Sequence, residues 1–149
     1  MEITIPRTTV DLTSLEIFPN LTELNLALKN LSYIPVDRFP SLVSLIIRTQ
    51  SKELCNNIAE DFPHLENLLI YNCYLQDLSC IKNSQSLRLL ELWDSDYIPL
   101  DEVATCPNLK SLKLNNCDPL LVEFLPLIEK TTIHDGSSKI NSMVNFISN

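Results

Sequence analysis

The chain is poor in the residues and motifs that announce chemistry. Its 149 residues include one glycine, Gly136, and no glycine-rich phosphate loop, HExxH or GxSxG, so the common nucleotide-binding, zinc-protease and serine-hydrolase signatures are missing. No apolar run reaches the length of about 18 residues that a membrane-spanning helix needs. The segment Met1 to Val10 has neither a basic nor an apolar leader region, which predicts a soluble chain not exported by a signal peptide. Basic residues are in the minority, 11 against 19 acidic ones for a formal net charge of -8. No nucleic-acid partner is expected on that count, because backbone phosphates need clustered Lys and Arg; a basic protein surface fits better. The five cysteines (Cys55, Cys73, Cys80, Cys106, Cys117) are odd in number and form no CxxC pair. They are expected to be reduced, mostly buried thiols of a cytoplasmic protein, with the nucleus as the alternative, and no metal or other cofactor is expected. N-glycosylation patterns at Asn20 and Asn30 carry little weight without a leader.

What is present is a repeat. Leu21 to Leu26, Leu42 to Ile47, Leu65 to Ile70, Leu87 to Leu92 and Leu109 to Leu114 share the order L-x-x-L-x-L, with aliphatic substitutes. Their middle leucines, 24, 45, 68, 90 and 112, are 21, 23, 22 and 22 residues apart. Weaker copies extend the register to Ile3 and Ile5 at the front and to Thr131 and Ile133 at the back, predicting about seven short strands. In L-x-L two apolar residues flank an outward one, so each strand has one inward face that it cannot bury alone. Stacked neighbours supply the missing cover. Before most strands stands a phrase of one kind, Phe18-Pro19-Asn20, Phe39-Pro40-Ser41, Phe62-Pro63-His64 or Cys106-Pro107-Asn108. Its proline ends any helical turn before it and biases the chain to extend.

These residues resemble the leucine-rich-repeat superfamily, whose L-x-x-L-x-L-x-x-N/C-x-L pattern is matched best by Leu65, Leu68, Ile70, Cys73 and Leu75. The resemblance covers nearly the whole chain. It implies an α/β solenoid with parallel strands on a concave face and helical or 3-10 turns, such as Asp101 to Thr105 and Leu120 to Leu125, on a convex one. It also implies that Cys73 and Cys117, at the ninth position, turn inward to satisfy backbone groups at the strand exits. Lys29, Gln50 and Ser95 depart from that pattern, which puts regular loop geometry in doubt at those turns. A single domain over 1–149 is expected, with an N-terminal cap repeat at 1–20 and repeats over 21–136. The segment 137–149 is predicted to be a capping helix, because Ile140, Met143, Val144 and Ile147 form an i, i+3, i+4, i+7 stripe with Ser137 or Ser138 as N-cap. The competing reading of that stripe is a partner-binding helix.

The register also says which side chains share the outward face, since equivalent positions stand about 4.8 Å apart on a parallel ladder. Counting the first Leu as one, the third column runs Glu2, Glu23, Ser44, Asn67, Leu89, Ser111, Lys130. The fifth runs Thr4, Asn25, Ile46, Leu69, Glu91, Lys113, Thr132, and the seventh Pro6, Ala27, Arg48, Tyr71, Trp93, Asn115, His134. The centre is therefore predicted to be apolar and aromatic: Ile46, Leu69, Tyr71, Leu89 and the sole tryptophan, Trp93. Contiguous apolar surface marks interaction sites, and Trp, Tyr and Arg are the usual anchors; the competing reading is that such residues merely suit strands. Lys113 should face Glu91 across adjacent strands, leaving Asp94 and Asp96 on the rim for a partner's cation or simply as a solvated edge. The candidate partner-binding residues are Ile46, Arg48, Leu69, Tyr71, Leu89, Glu91, Trp93, Asp94, Lys113 and Asn115.

No catalytic constellation accompanies them. His64 and His134 are the only histidines; His64 falls in the pre-strand phrase and reads as a surface turn residue, and a cysteine packed among leucines lacks the access and lowered pKa of a nucleophile. The sequence thus points to a non-catalytic, monomeric module that binds a protein or peptide through its concave sheet. Alternatives are a regulatory subunit of the phosphatase-regulator kind, a substrate-recruiting adaptor in ubiquitin ligation, and, as the outsider, a thiol-dependent hydrolase.

Overall fold

Alternation of one apolar and one outward residue, repeated every 21 to 23 positions, builds a parallel sheet. In the computed structural model the described residues are 2–5, 12–14, 16–28, 31, 33–50, 57–71, 78–94, 96–98, 101–119 and 130–134. Five strands carry the repeat: β2 (Glu23–Ala27), β3 (Ser44–Arg48), β4 (Asn67–Tyr71), β5 (Leu89–Trp93) and β7 (Ser111–Asn115). They pair in parallel, and the register sets Leu24, Leu45, Leu68, Leu90 and Leu112 side by side. The same sheet continues to β1 (Glu2–Ile5) beside β2 and to β9 (Lys130–His134) beside β7.

The strand-to-strand links are alike. Among the described residues each contains one helical turn: Val36–Arg38, Ser79–Ile81 and Val103–Thr105 are 3-10, and α1 (Ile58–Asp61) is one α turn. A further 3-10 turn, Leu12–Ser14, lies between β1 and β2. The expected turn within Asp101 to Thr105 is therefore present, whereas Leu120 to Leu125 and the whole of 137–149, with the capping helix assigned there, lie outside the described residues.

The phrase after each turn does two jobs. The aromatic ring or thiol goes inward, with Phe39, Phe62 and Cys106 buried and Phe18 partly so; Phe18 and Phe39 stack with centroids 6.1 Å apart. The proline stays exposed and occupies the second position of a β-turn, where its fixed φ is suited. Closing these turns, the N–H of Leu21 donates to Phe18 O (3.2 Å), Leu42 to Phe39 O (3.3 Å), Leu65 to Phe62 O (3.0 Å) and Leu109 to Cys106 O (3.2 Å). Before β5, where no proline occurs, the Ser84 hydroxyl accepts the Leu87 N–H instead (3.3 Å).

The core is a column of leucines. Leu24, Leu45, Leu68, Leu90 and Leu112 have no exposed surface, and Leu26, Ile47, Ile70, Leu92 and Leu114 beside them have 0 or 1%. Each such side chain is worth roughly 1.5 to 3 kcal/mol on burial, which a lone strand could not recover.

Two details were not foreseen. After β5 and β7 the chain turns through residues with positive φ, Asp94 (50°) and Asn116 (51°), at the same place in their repeats. It then forms a second, two-stranded parallel sheet from β6 (Asp96–Ile98) and β8 (Asp118–Pro119). Asp and Asn tolerate this left-handed conformation better than other non-glycine residues, and the two are tied across neighbouring repeats, Asn116 Nδ2 donating to Asp94 Oδ1 at 2.8 Å. At the exit of β3, where Gln50 stands at the ninth repeat position and is exposed, the residue before it takes over: Thr49 is buried and its Oγ1 accepts the Leu31 N–H at 3.3 Å. Lys29, Cys73 and Ser95 lie outside the described residues. Cys117 is buried beneath the exit of β7, its sulfur 3.3 Å from both Leu92 O and Asn115 O. Among the described residues no helix is long and apolar enough to cross a membrane.

Candidate functional site

The strand register brings the sequence-predicted residues together on the outward face. Arg48 pairs with Tyr71, Tyr71 with Trp93 and Trp93 with Asn115 in one column; Ile46, Leu69, Glu91 and Lys113 form the next. Leu89 begins β5, between Asn67 and Ser111, and Asp94 follows its last residue.

The seventh-position column is a stack. In parallel strands side chains of equal position lie one spacing apart, about the thickness of an aromatic contact. Tyr71 and Trp93 stack with centroids 5.5 Å apart and planes 17° from parallel. The Arg48 guanidinium carbon sits 4.6 Å from the Tyr71 ring centre, within cation-π range, and Arg48 Nη1 donates to Asn25 Oδ1 at 2.5 Å.

The stack rests on a carboxylate. Trp93 Nε1–H donates to Glu91 Oε1 at 2.6 Å, and Lys113 Nζ donates to Glu91 Oε2 at 3.1 Å. Asn115 Nδ2 adds a long contact to Oε1 at 3.5 Å. The Glu91–Lys113 pairing is the one the register predicts.

Exposure differs from the sequence reading in an informative way. Burial alternates regularly along β2 and β4, but Glu91 (8% exposed) and Asn115 (6%) break the pattern in β5 and β7. Both were assigned to the contact surface, and both are covered by the neighbours they bind. They are supports of the stack. Ile46, Leu69, Tyr71, Leu89, Trp93 and Lys113 are half-buried, and Arg48 and Asp94 are exposed. The rings have hidden their faces against each other, so the patch presents less open apolar surface than free side chains would.

Features outside those columns were missed. The large apolar side chains most exposed among the described residues are Ile17 (56%) and Tyr33 (48%), both in links. A shallow groove of about 480 Å³ runs along the strand starts, lined by Val43, Pro63, His64, Glu66, Arg88 and neighbouring serines. His64 is exposed there, as its turn position implied. Arg88 and Glu66 spend their charge on one another at 3.5 Å, and the backbone N–H groups of Glu66, Asn67, Arg88 and Leu89 are taken by carbonyls of the preceding strand start at 2.8 to 3.0 Å. The position of His64 at the strand start was the one available clue.

Cys80, Cys106 and Cys117 are buried thiols outside any disulfide. Burial pushes the Cys106 thiol up, against smaller opposing hydrogen bonds, and its sulfur lies 3.3 Å from Ile81 O. Among the described residues no group of three or more His, Cys, Asp or Glu could hold a metal ion. Comparison with protein-family models, with curated proteins and with solved structures gave no significant match, so the meaning of this face rests on its own geometry.

Proposed function

We propose that the chain is a leucine-rich-repeat solenoid that binds a protein or peptide partner on its concave sheet, without catalysis. The observation that carries this reading is the preformed ladder of Arg48, Tyr71 and Trp93 beside Ile46, Leu69 and Leu89. Aromatic and Arg side chains fixed before contact lose little freedom on binding, which is the economy expected of an interface anchor. A net charge of -8 favours encounter with a partner whose surface is basic, and the exposed Asp94 carboxylate stands at the rim for a cation of that partner.

The test is a capture from native cells with the parent protein and with Trp93→Ala, followed by affinity measurement on the isolated partner. Loss of a central anchor costs about 2 kcal/mol, or about 30-fold in Kd. A partner that contacts the links and binds Trp93→Ala as tightly as the parent would sink the reading and leave the ladder as strand filler.

A further inference from the structure

Among the described side chains of the concave face, one cation is immobilised without an ion-pair partner. Arg48 is exposed, yet its guanidinium is fixed on two sides, by the Asn25 amide oxygen and by the Tyr71 ring. Both partners are electrically neutral. The ion pairs among the described residues join Arg38 to Asp37, Arg88 to Glu66 and Lys113 to Glu91, and none includes Arg48. Its neighbours in register are Ala27 and Tyr71. On the same face the nearest acidic position of β2, Glu23, pairs with Ser44, four residues up the strand from Arg48, a separation of roughly 13 Å.

A guanidinium placed over a ring and using one N–H on an amide oxygen keeps most of its donors free for a planar acceptor. Its conformational cost has been met before a ligand arrives. Lys113, the second cation among the described side chains of the face, is different, because Glu91 already occupies it. From this asymmetry we infer that Arg48 is a carboxylate-receiving subsite and that the partner segment carries an Asp or Glu side chain next to a large apolar anchor.

The spacing follows from the sheet. Leu69 lies one strand across and two residues back from Arg48 in register, roughly 8 Å away, and Leu89 two strands and four residues, roughly 16 Å, so the apolar anchor is received at Leu69. Side chains on one side of an extended segment recur about every 7 Å, so the carboxylate and the anchor are separated by a single residue in an extended ligand. The overall acidity of the chain does not oppose this. Long-range charge governs encounter and is screened beyond about 10 Å, whereas a carboxylate seated on Arg48 feels the fixed guanidinium first.

This inference rests on the concave-face reading, and its test separates the two. Random phage-displayed peptides of about a dozen residues are selected on the intact chain, on Arg48→Gln and on Trp93→Ala, and the recovered sequences are compared. The expected result is a parent pool enriched in Asp or Glu one residue from a large apolar side chain, with that enrichment lost on Arg48→Gln. A synthetic peptide from the parent pool should bind Arg48→Gln about tenfold more weakly, and its own Glu→Gln form should lose a similar factor on the parent but little on Arg48→Gln. Arg48→Lys should recover only part of the loss, since an ammonium lacks the fork. Equal acidic content in the parent and Arg48→Gln pools, including the case in which neither pool enriches, overturns the subsite. Peptides that ignore Arg48→Gln but fail on Trp93→Ala overturn it while leaving the concave-face reading intact; peptides indifferent to both overturn both.

Discussion

Removing the Glu91 carboxylate should release Trp93 from its place in the stack, and the consequence can be read without any partner because the chain has a single tryptophan. Glu91 accepts from Trp93 Nε1 at 2.6 Å and from Lys113 Nζ at 3.1 Å. A hydrogen bond to a charged acceptor contributes about 1.5 to 3 kcal/mol. The lysine side chain is 40% exposed, so solvent screening limits its share to roughly 0.5 kcal/mol or less. Water can reach the half-buried indole and replace part of what is lost. Glu91→Ala should therefore cost about 1 to 2 kcal/mol. Glu91→Gln keeps an oxygen acceptor for the indole and loses only the charge, so it should cost about half as much or less. Urea unfolding gives the free energies, and tryptophan emission with acrylamide quenching of the native protein reports the indole. Emission should shift to the red and quenching rise in the order parent, Glu91→Gln, Glu91→Ala. Identical unfolding midpoints and identical quenching in all three proteins would refute the clamp.

The core makes a larger prediction: Leu68→Ala, at a position with no exposed surface in the central strand, should lower stability by about 3 kcal/mol or more in urea unfolding, because the packed column cannot collapse around the cavity. Cys80, Cys106 and Cys117 are buried, so a thiol reagent at neutral pH should leave them unmodified, by mass spectrometry of their peptides, until denaturant is added. The raised pKa of Cys106 means that the folded protein holds this proton more tightly than the unfolded chain. Its contribution to stability is full below the ordinary thiol range and is lost as pH rises through the raised folded value, so Cys106→Ala should show a smaller alkaline decline than the parent in thermal melts across that range. Asp94 sits at a φ of 50°; Asp94→Ala should cost about 1 to 2 kcal/mol of backbone strain plus the Asn116 contact, and Asp94→Gly should recover the strain alone, as ordered by their melting temperatures.

The strands were legible because their signal is redundant. Spacings of 21 to 23 residues place five leucines in one buried column, and an error of one residue would have turned every apolar side chain to water. The same redundancy made the cross-strand neighbours readable: Glu91 beside Lys113 and Tyr71 beside Trp93 follow from counting alone. The links were less legible. Thr49 substitutes for an inward residue at Gln50, and β6 and β8 arise after two positive-φ residues; neither is periodic in sequence, since each depends on which local polar group reaches a backbone partner first.

Periodicity assigns a side chain to a face but says nothing of how its capacity is used once there. Counting outward positions placed Glu91 and Asn115 beside Arg48 as equal members of one surface, yet the indole N–H, the Lys113 ammonium and the Asn115 amide converge on one carboxylate and draw it below the surface. What decides this is a length: a glutamate two residues before a tryptophan shares its face, and its side chain is long enough to meet the ring nitrogen. Arg48 has no such acid two residues before it, where Ile46 stands. Its charge is held in place by Asn25 and Tyr71 and joins no ion pair among the described residues. Two strands apart, the same position of the repeat thus yields an indole whose hydrogen bond is internally satisfied and a guanidinium held by neutral groups, the one for which we propose an acidic ligand.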